Sequence, residues 1–278
     1  MVPAPFAGRL AVLLALLLTL RAWGTTYFVR TVGVDTNNGL TAATAFKTLT
    51  KAISVAQAGD VVYVGAGTYT AALTTVRSGT AAGRIRFVGD STGVYTGNKG
   101  RPTLQIAGGT VLTLLHDNID FEYFAFAASS VNVVSRGNGN VLRSCYLRSS
   151  TTAAISAPAA GSLTLAGCTV YNSTGDGIVI SGNHTVSVST TSIYKISRSA
   201  LVMSAGTATL DRNTIYTISR WAAEISGGTA TLTNNLIRGN TLGGVSMNGG
   251  SVFSWHNTFY QTGTTVFQQS GGAGSLGN

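Results

Sequence analysis

A block of about 22 residues recurs through the second half of this chain, and few folds can absorb such a repeat. "LAGCTVYNSTGDGIVISGNHTVS" begins at Leu165, "VSTTSIYKISRSALVMSAGTAT" at Val188, "LDRNTIYTISRWAAEISGGTAT" at Leu210 and "LTNNLIRGNTLGGVSMNGGSVF" at Leu232. "SWHNTFYQTGTT" follows at Ser254, and earlier "VLRSCYLRSS" and "NIDFEYFAFA" place Leu142 and Ile119 at the same point. Seven copies spaced by 22 or 23 residues predict a solenoid in which each repeat stacks on the last.

Columns through the repeat show what each position does. The fourth reads Glu122, Cys145, Cys168, Thr191, Asn213, Asn235, Asn257. The sixth is apolar throughout: Phe124, Leu147, Val170, Ile193, Ile215, Ile237, Phe259. The seventh is Ala125, Arg148, Tyr171, Tyr194, Tyr216, Arg238, Tyr260. Pairs such as Ile178/Ile180, Leu201/Met203 and Val245/Met247 alternate with period two, as strands do. A coil of this length holds three short strands and three bends, so the expected fold is all-β, a parallel β-helix. An inward Asn at a bend satisfies backbone groups of its own and neighbouring coils. Cys145 and Cys168 fall one coil apart in that column, and stacking in register favours two buried thiols over a disulfide.

The first half is less regular. In "AFKTLTKAISVAQAGDVVYVGAGTY" (residues 45–69), Leu49, Ala52, Ile53 and Ala56 share one helical face, and Gly59 ends the segment. A helix over about 46–57 is expected to cap the first coil, which starts near residue 61. Val62 and Ile85 stand 23 apart and suggest the next one. "STGVYTGNKGRP" after it reads as an inserted loop.

Upstream lies "LAVLLALLLTL" (Leu10–Leu20), flanked by Arg9 and by small residues at Ala22 and Gly24. This predicts a secretory signal peptide over residues 1–24, too short to span a bilayer comfortably, and a secreted or cell-surface protein. Removing it lowers the formal net charge of +9 to +7, because Arg9 and Arg21 leave with it. A basic exported protein suits acidic polysaccharide or anionic lipid. With no Lys/Arg run, nucleic acid is not an expected partner. After Tyr260 the sequence holds barely one more coil and no polar cap. That predicts a continuation in a longer protein or a final coil that pairs with a partner.

The stretch Tyr27–Tyr69 resembles the N-terminal signature of extracellular right-handed parallel β-helix proteins of the pectate-lyase-like superfamily. Its elements are a strand, "G-x-D-x-N-x-G", the "F-K-T-L-x-K-A" helix and "A-G-D-x-V-Y-V-x-x-G-T-Y". The resemblance implies a right-handed solenoid over residues 25–278. It also implies cleavage of acidic polysaccharide by β-elimination, with a Lys or Arg base and Ca²⁺ held by several Asp residues. The chain has only nine acidic residues and no Asp-x-x-Asp-Asp cluster, so a family calcium site carries over to no residue here.

Candidate sites follow from the columns. Tyr171, Tyr194, Tyr216 and Arg238 form an outward ladder with Lys195 beside it. Arg198 and Arg220 are 22 apart on the next turn, Asp176 and Trp221 share the following position, and Glu224 is close. Aromatic rings beside cations suit sugar stacking and uronate pairing. Lys195, Arg198 or Arg220 are the candidate elimination bases, and ordinary surface ion pairs are the alternative reading. Asp117, Asp120 and Glu122 are the one dense carboxylate set, read as bend residues, as holders of a cation or as an acid/base pair. His116, His184 and His256 lack metal spacing, and Asn172 and Asn183 head glycosylation sequons. Two functions stay open: binding acidic polysaccharide, with or without cleaving it as a lyase or glycoside hydrolase, or a non-catalytic surface or matrix role in adhesion.

Overall fold

Left-handed backbone at fixed points of the repeat turns the chain. In a computed structural model, which describes residues 24–127 and 129–277, the same bend recurs at Tyr123, Ser144, Thr190, Arg212, Asn234 and His256, with φ between 49° and 61°. A second column, Ser149, Asn172, Lys195, Thr217 and Gln261, has φ of 49° to 57°. Between the bends the strands pair in parallel with those of the next coil. One coil comprises Gly161–Ala166, Thr169–Ser173 and Asp176–Ile180, and the next His184–Ser189, Ser192–Ile196 and Leu201–Met203. The three strands of each coil belong to three faces. The second face is a separate nine-stranded sheet. The first and third join near the end, where Gly243–Trp255 and Thr265–Gly277 run unbroken from one to the other.

The start of the solenoid explains the N-terminal motif. Strand β1 (Thr26–Val29) pairs with β2 (Val61–Val64), and helix α1 (Leu49–Val55) lies between them in sequence. Asp35, from the "G-x-D" element, accepts hydrogen bonds from Lys47 N, Thr48 N and Thr48 Oγ1, and Thr48 in turn caps α1 through Lys51 N. Gly39 has φ of 71°, and a Cβ there would lie 2.3 Å from the Phe46 ring, so only glycine fits. The buried face of α1, Leu49, Ala52 and Ile53, joins the same core cluster as Val62, Phe87 and Ile119.

Inside, like stacks on like. Val62, Phe87, Phe121, Leu142, Leu165, Val188, Leu210 and Leu232 follow one another down the first face, none more than 2% exposed. The early register differs from the one that spacing suggests. Val62 lies beside Phe87 rather than Ile85, and Phe87 beside Phe121, 34 residues on, because this coil carries the expected loop. Leu142 lies beside Phe121 rather than Ile119, 21 residues apart. The offset becomes 22 across a bulge between Ser129 and Val131, and 23 at Asn140. The fourth column therefore begins at Phe124, and Glu122 lies beside Arg143 on the outside.

Where the first-face strands begin, Gly206, Gly228, Gly250 and Gly272 have φ of 72° to 79°, and a Cβ at Gly228 would lie 2.5 Å from the Gly206 carbonyl oxygen. Gly228→Ala is expected to cost about 2–3 kcal/mol through this backbone clash, read from urea unfolding.

His184 is fully buried; Nδ1 meets Ala159 O at 3.0 Å, and Nε2 has no protein partner. Burial lowers its pKa below the ordinary 6.5, although the bond to Ala159 opposes this. Above that pH neither the folded nor the unfolded chain holds the proton. Below it the unfolded chain takes the proton first, so stability falls until the folded imidazole protonates too. Urea midpoints between about pH 7 and about pH 5 should show the decline, and His184→Gln should flatten it.

Candidate functional site

The second face carries the tyrosine ladder, because position seven points outward on every coil. Arg148, Tyr171, Tyr194, Tyr216, Arg238 and Tyr260 are in register along it. Tyr171 and Tyr194 stack at 5.4 Å and 15°, Tyr194 and Tyr216 at 4.8 Å and 11°. The Arg238 guanidinium lies 5.0 Å from the Tyr216 ring centre. The three rings therefore cover one another's faces, and the ladder shows solvent its edges and hydroxyls. Burial and the Tyr216 and Tyr171 neighbours push the Tyr194 phenol above its ordinary pKa, which keeps it a neutral hydrogen-bonding group. Arg148 and Arg238 bracket the triad in one column, about 19 Å apart at the usual strand spacing.

Two residues that the columns did not single out extend the row. Tyr146 meets Tyr171 edge to face at 6.3 Å, and Arg101 lies over Tyr146 at 4.0 Å. Arg101 also donates to the carbonyls of Phe124 and Ser144, which fixes it in place. Arg101 belongs to the coil that carries the inserted loop, so no repeat spacing points to it.

The corner after the ladder gathers the remaining candidates. Arg198 pairs with Asp176 at 3.3 Å and Arg220 with Glu224 at 3.2 Å. Ser199, on the coil between the two carboxylates, joins them: its N–H donates to Asp176 Oδ1 at 3.0 Å and its Oγ to Glu224 Oε2 at 2.9 Å. Trp221 is 8% exposed and lies against Gly243, where a Cβ would meet the indole at 2.4 Å. It forms the floor of the corner rather than a platform. Lys195 is exposed beside Tyr194 and has no carboxylate partner among the described residues. Arg101, Arg148, Lys195, Arg198, Arg220 and Arg238 outnumber Asp176 and Glu224 by six to two along this surface.

The other carboxylate set is spent on internal partners. Asp120 is held by Arg84 and Glu122 by Arg86, at 2.9 Å for the latter, while Asp117 accepts from Asn138 N at 2.7 Å. Each of these acids is engaged separately, and among the described residues no group of three His, Cys, Asp or Glu gathers to hold a metal. The calcium site implied by the resemblance does not fit this donor set. Cys145 and Cys168 are free, buried thiols donating to Phe121 O at 3.3 Å and Leu142 O at 3.4 Å. Among the described residues no helix is long and apolar enough to cross a membrane. The expected signal peptide lies outside them, apart from Gly24.

A family model described as right handed beta helix region matches residues 117–276. No curated protein matches by sequence. Among solved structures, the chain resembles the pectate lyase Pel9A (TM-score 0.71, 13% identity, 91% of this chain and 78% of that one). It also resembles pectin methylesterase from carrot (TM-score 0.63, 10% identity, 91% and 88%). An alginate lyase from a Paenibacillus species is similar too (TM-score 0.58, 13% identity, 90% and 98%). At such identities the likeness is one of fold.

Proposed function

This chain belongs to the right-handed β-helix family, and on that premise we propose that it binds an acidic extracellular polysaccharide along its second face. The observation that carries the reading is the column Arg148–Tyr171–Tyr194–Tyr216–Arg238. Two guanidiniums are set a fixed distance apart by the strand spacing, with a row of phenol hydroxyls between them. Guanidinium pairs with carboxylate in a fork, and hydroxyls serve sugar oxygens as donors and acceptors. Pectate lyase and alginate lyase share the fold, which directs the choice toward uronate polymers. Export, expected from the N-terminal segment, would bring the protein to such polymers.

Binding is better supported than cleavage. Arg198 and Arg220 are each committed to a carboxylate, so neither stands ready to accept a proton. Lys195 alone among the three candidate bases has no carboxylate partner among the described residues.

Affinity electrophoresis tests the reading. Gels containing polygalacturonate or alginate should retard the protein, and the retardation should fade as salt approaches about 1 M, where screening acts within ~3 Å. Arg148→Ala with Arg238→Ala should weaken binding about tenfold, ~1.4 kcal/mol. Equal mobility with and without polymer would overturn the proposal. Ultraviolet absorbance of unsaturated uronates, followed in the same mixtures, separates a lyase from a binding protein.

A further inference from the structure

The inserted loop at residues 90–101 breaks the repeat, and it is built rather than loose. Asp90, 2% exposed, accepts from Gly93 N at 2.9 Å, Tyr95 N at 3.0 Å, Thr96 N at 2.6 Å and the hydroxyls of Thr92 and Thr96. Such saturation leaves the carboxylate no further valence for a ligand. It also sets Tyr95 flat on Tyr63, at 3.7 Å and 6°. Burial and the neighbouring Tyr95 phenol push the Tyr63 phenol up to about 12, so the stacked pair is neutral.

Between the loop and the corner that follows the first face lies a groove of about 210 Å³, lined by Tyr63, Val88, Thr92, Tyr95 and Tyr123, with the Asp90 carboxylate also in its wall. Its exposed aromatics are Tyr95 at 48% and Tyr123 at 39%. Tyr123 sits at the left-handed bend that recurs on other coils, with φ of 61°, which fixes its backbone beside the groove. The nearby Glu122 is paired with Arg86 at 2.9 Å. The groove runs on into the candidate face: Arg101 lies 5.9 Å from the Tyr123 ring and 4.0 Å from that of Tyr146, which touches Tyr171.

We propose that this groove is a subsite for one neutral sugar ring. The polymer bound is then a heteropolysaccharide, in which a neutral unit adjoins the acidic stretch on the second face. The acidic part of this inference rests on the function proposed above; the groove itself does not. A pyranose offers an apolar C–H face and a rim of hydroxyls. Tyrosine rings bury the first, and Thr92, the phenols and nearby backbone groups serve the second. The volume is below the ~300 Å³ of a drug-sized pocket and fits a single ring. An acidic sugar would bring its carboxylate beside the ionised Asp90 in a groove that no cation lines, and would meet both repulsion and a desolvation penalty.

Calorimetric titration with cellotetraose, xylotetraose and maltotetraose tests it. At least one should bind, with Kd on the order of 1 mM. Tyr95→Ala and Tyr123→Asn should each weaken binding tenfold or more, Asn being tolerant of the left-handed backbone. Unchanged melting temperatures would exclude misfolding. Arg148→Ala with Arg238→Ala should leave neutral binding untouched while weakening retention by polygalacturonate. No binding of any neutral probe, or binding that survives both tyrosine substitutions, overturns the subsite. Neutral binding with no retention by polyuronates overturns the acidic-polymer reading and leaves the groove standing.

Discussion

Asn235→Ala is expected to lower the free energy of unfolding by about 3–5 kcal/mol, the largest single loss among the polar residues of the solenoid. Asn235 is 1% exposed. Its Oδ1 accepts from Asn213 N at 2.9 Å and from Asn213 Nδ2 at 3.0 Å. Its Nδ2 donates to Leu210 O and Asn257 Oδ1, both at 2.9 Å. The column propagates in both directions, from Thr191 N to Asn213 Oδ1 at 2.8 Å and from Asn235 N to Asn257 Oδ1 at 2.8 Å. Truncation removes a donor and an acceptor from a dry stack and strands the Asn213 amide and the Leu210 carbonyl. Each buried group left unpaired costs about 1–3 kcal/mol. Asn235→Asp would restore the acceptor but bury a charge, so it should not rescue stability. Urea unfolding followed by circular dichroism measures both.

Replacing Arg198 and Arg220 together by alanine is expected to weaken polyuronate binding about 100-fold, ~2.7 kcal/mol. This exceeds the effect of removing Arg148 and Arg238, for an electrostatic reason. Arg198 and Arg220 mask Asp176 and Glu224 at 3.3 and 3.2 Å. Without them two carboxylates joined through Ser199 face the polyanion, and juxtaposed like charges cost several kcal/mol. Adding Asp176→Asn and Glu224→Gln should recover most of the loss, which a purely attractive role for the arginines would not allow. Both variants should fold, because the arginine side chains are 56% and 40% exposed and Asp176 keeps its hydrogen bond from Ser199 N. Retention on polygalacturonate at low salt is the measurement.

The repeat made the architecture legible, and the structure shows why. Position six is apolar and position four small or amide in every late coil, because each side chain must match the ones above and below it. Thus Ile193, Ile215 and Ile237 are fully buried, and Asn213, Asn235 and Asn257 bond to one another. Legibility failed where coils change length. The loop and the bulge near Ser129 shift the register, so Glu122 read as the head of a column that Phe124 occupies. The candidate face was half visible for the same reason. Tyr171, Tyr194 and Tyr216 share a column, whereas Arg101 and Tyr146 join them diagonally across coils. Spacing also could not show that the rings would stack on each other and so withdraw their faces from a ligand.

The most direct test of the account is a crystal structure with a bound oligogalacturonate. The account predicts density along the second face, with carboxylates at Arg148 and Arg238 and sugar hydroxyls at the edges of Tyr171, Tyr194 and Tyr216. An oligosaccharide lying on the first or third face, with the tyrosine ladder bare, would contradict it.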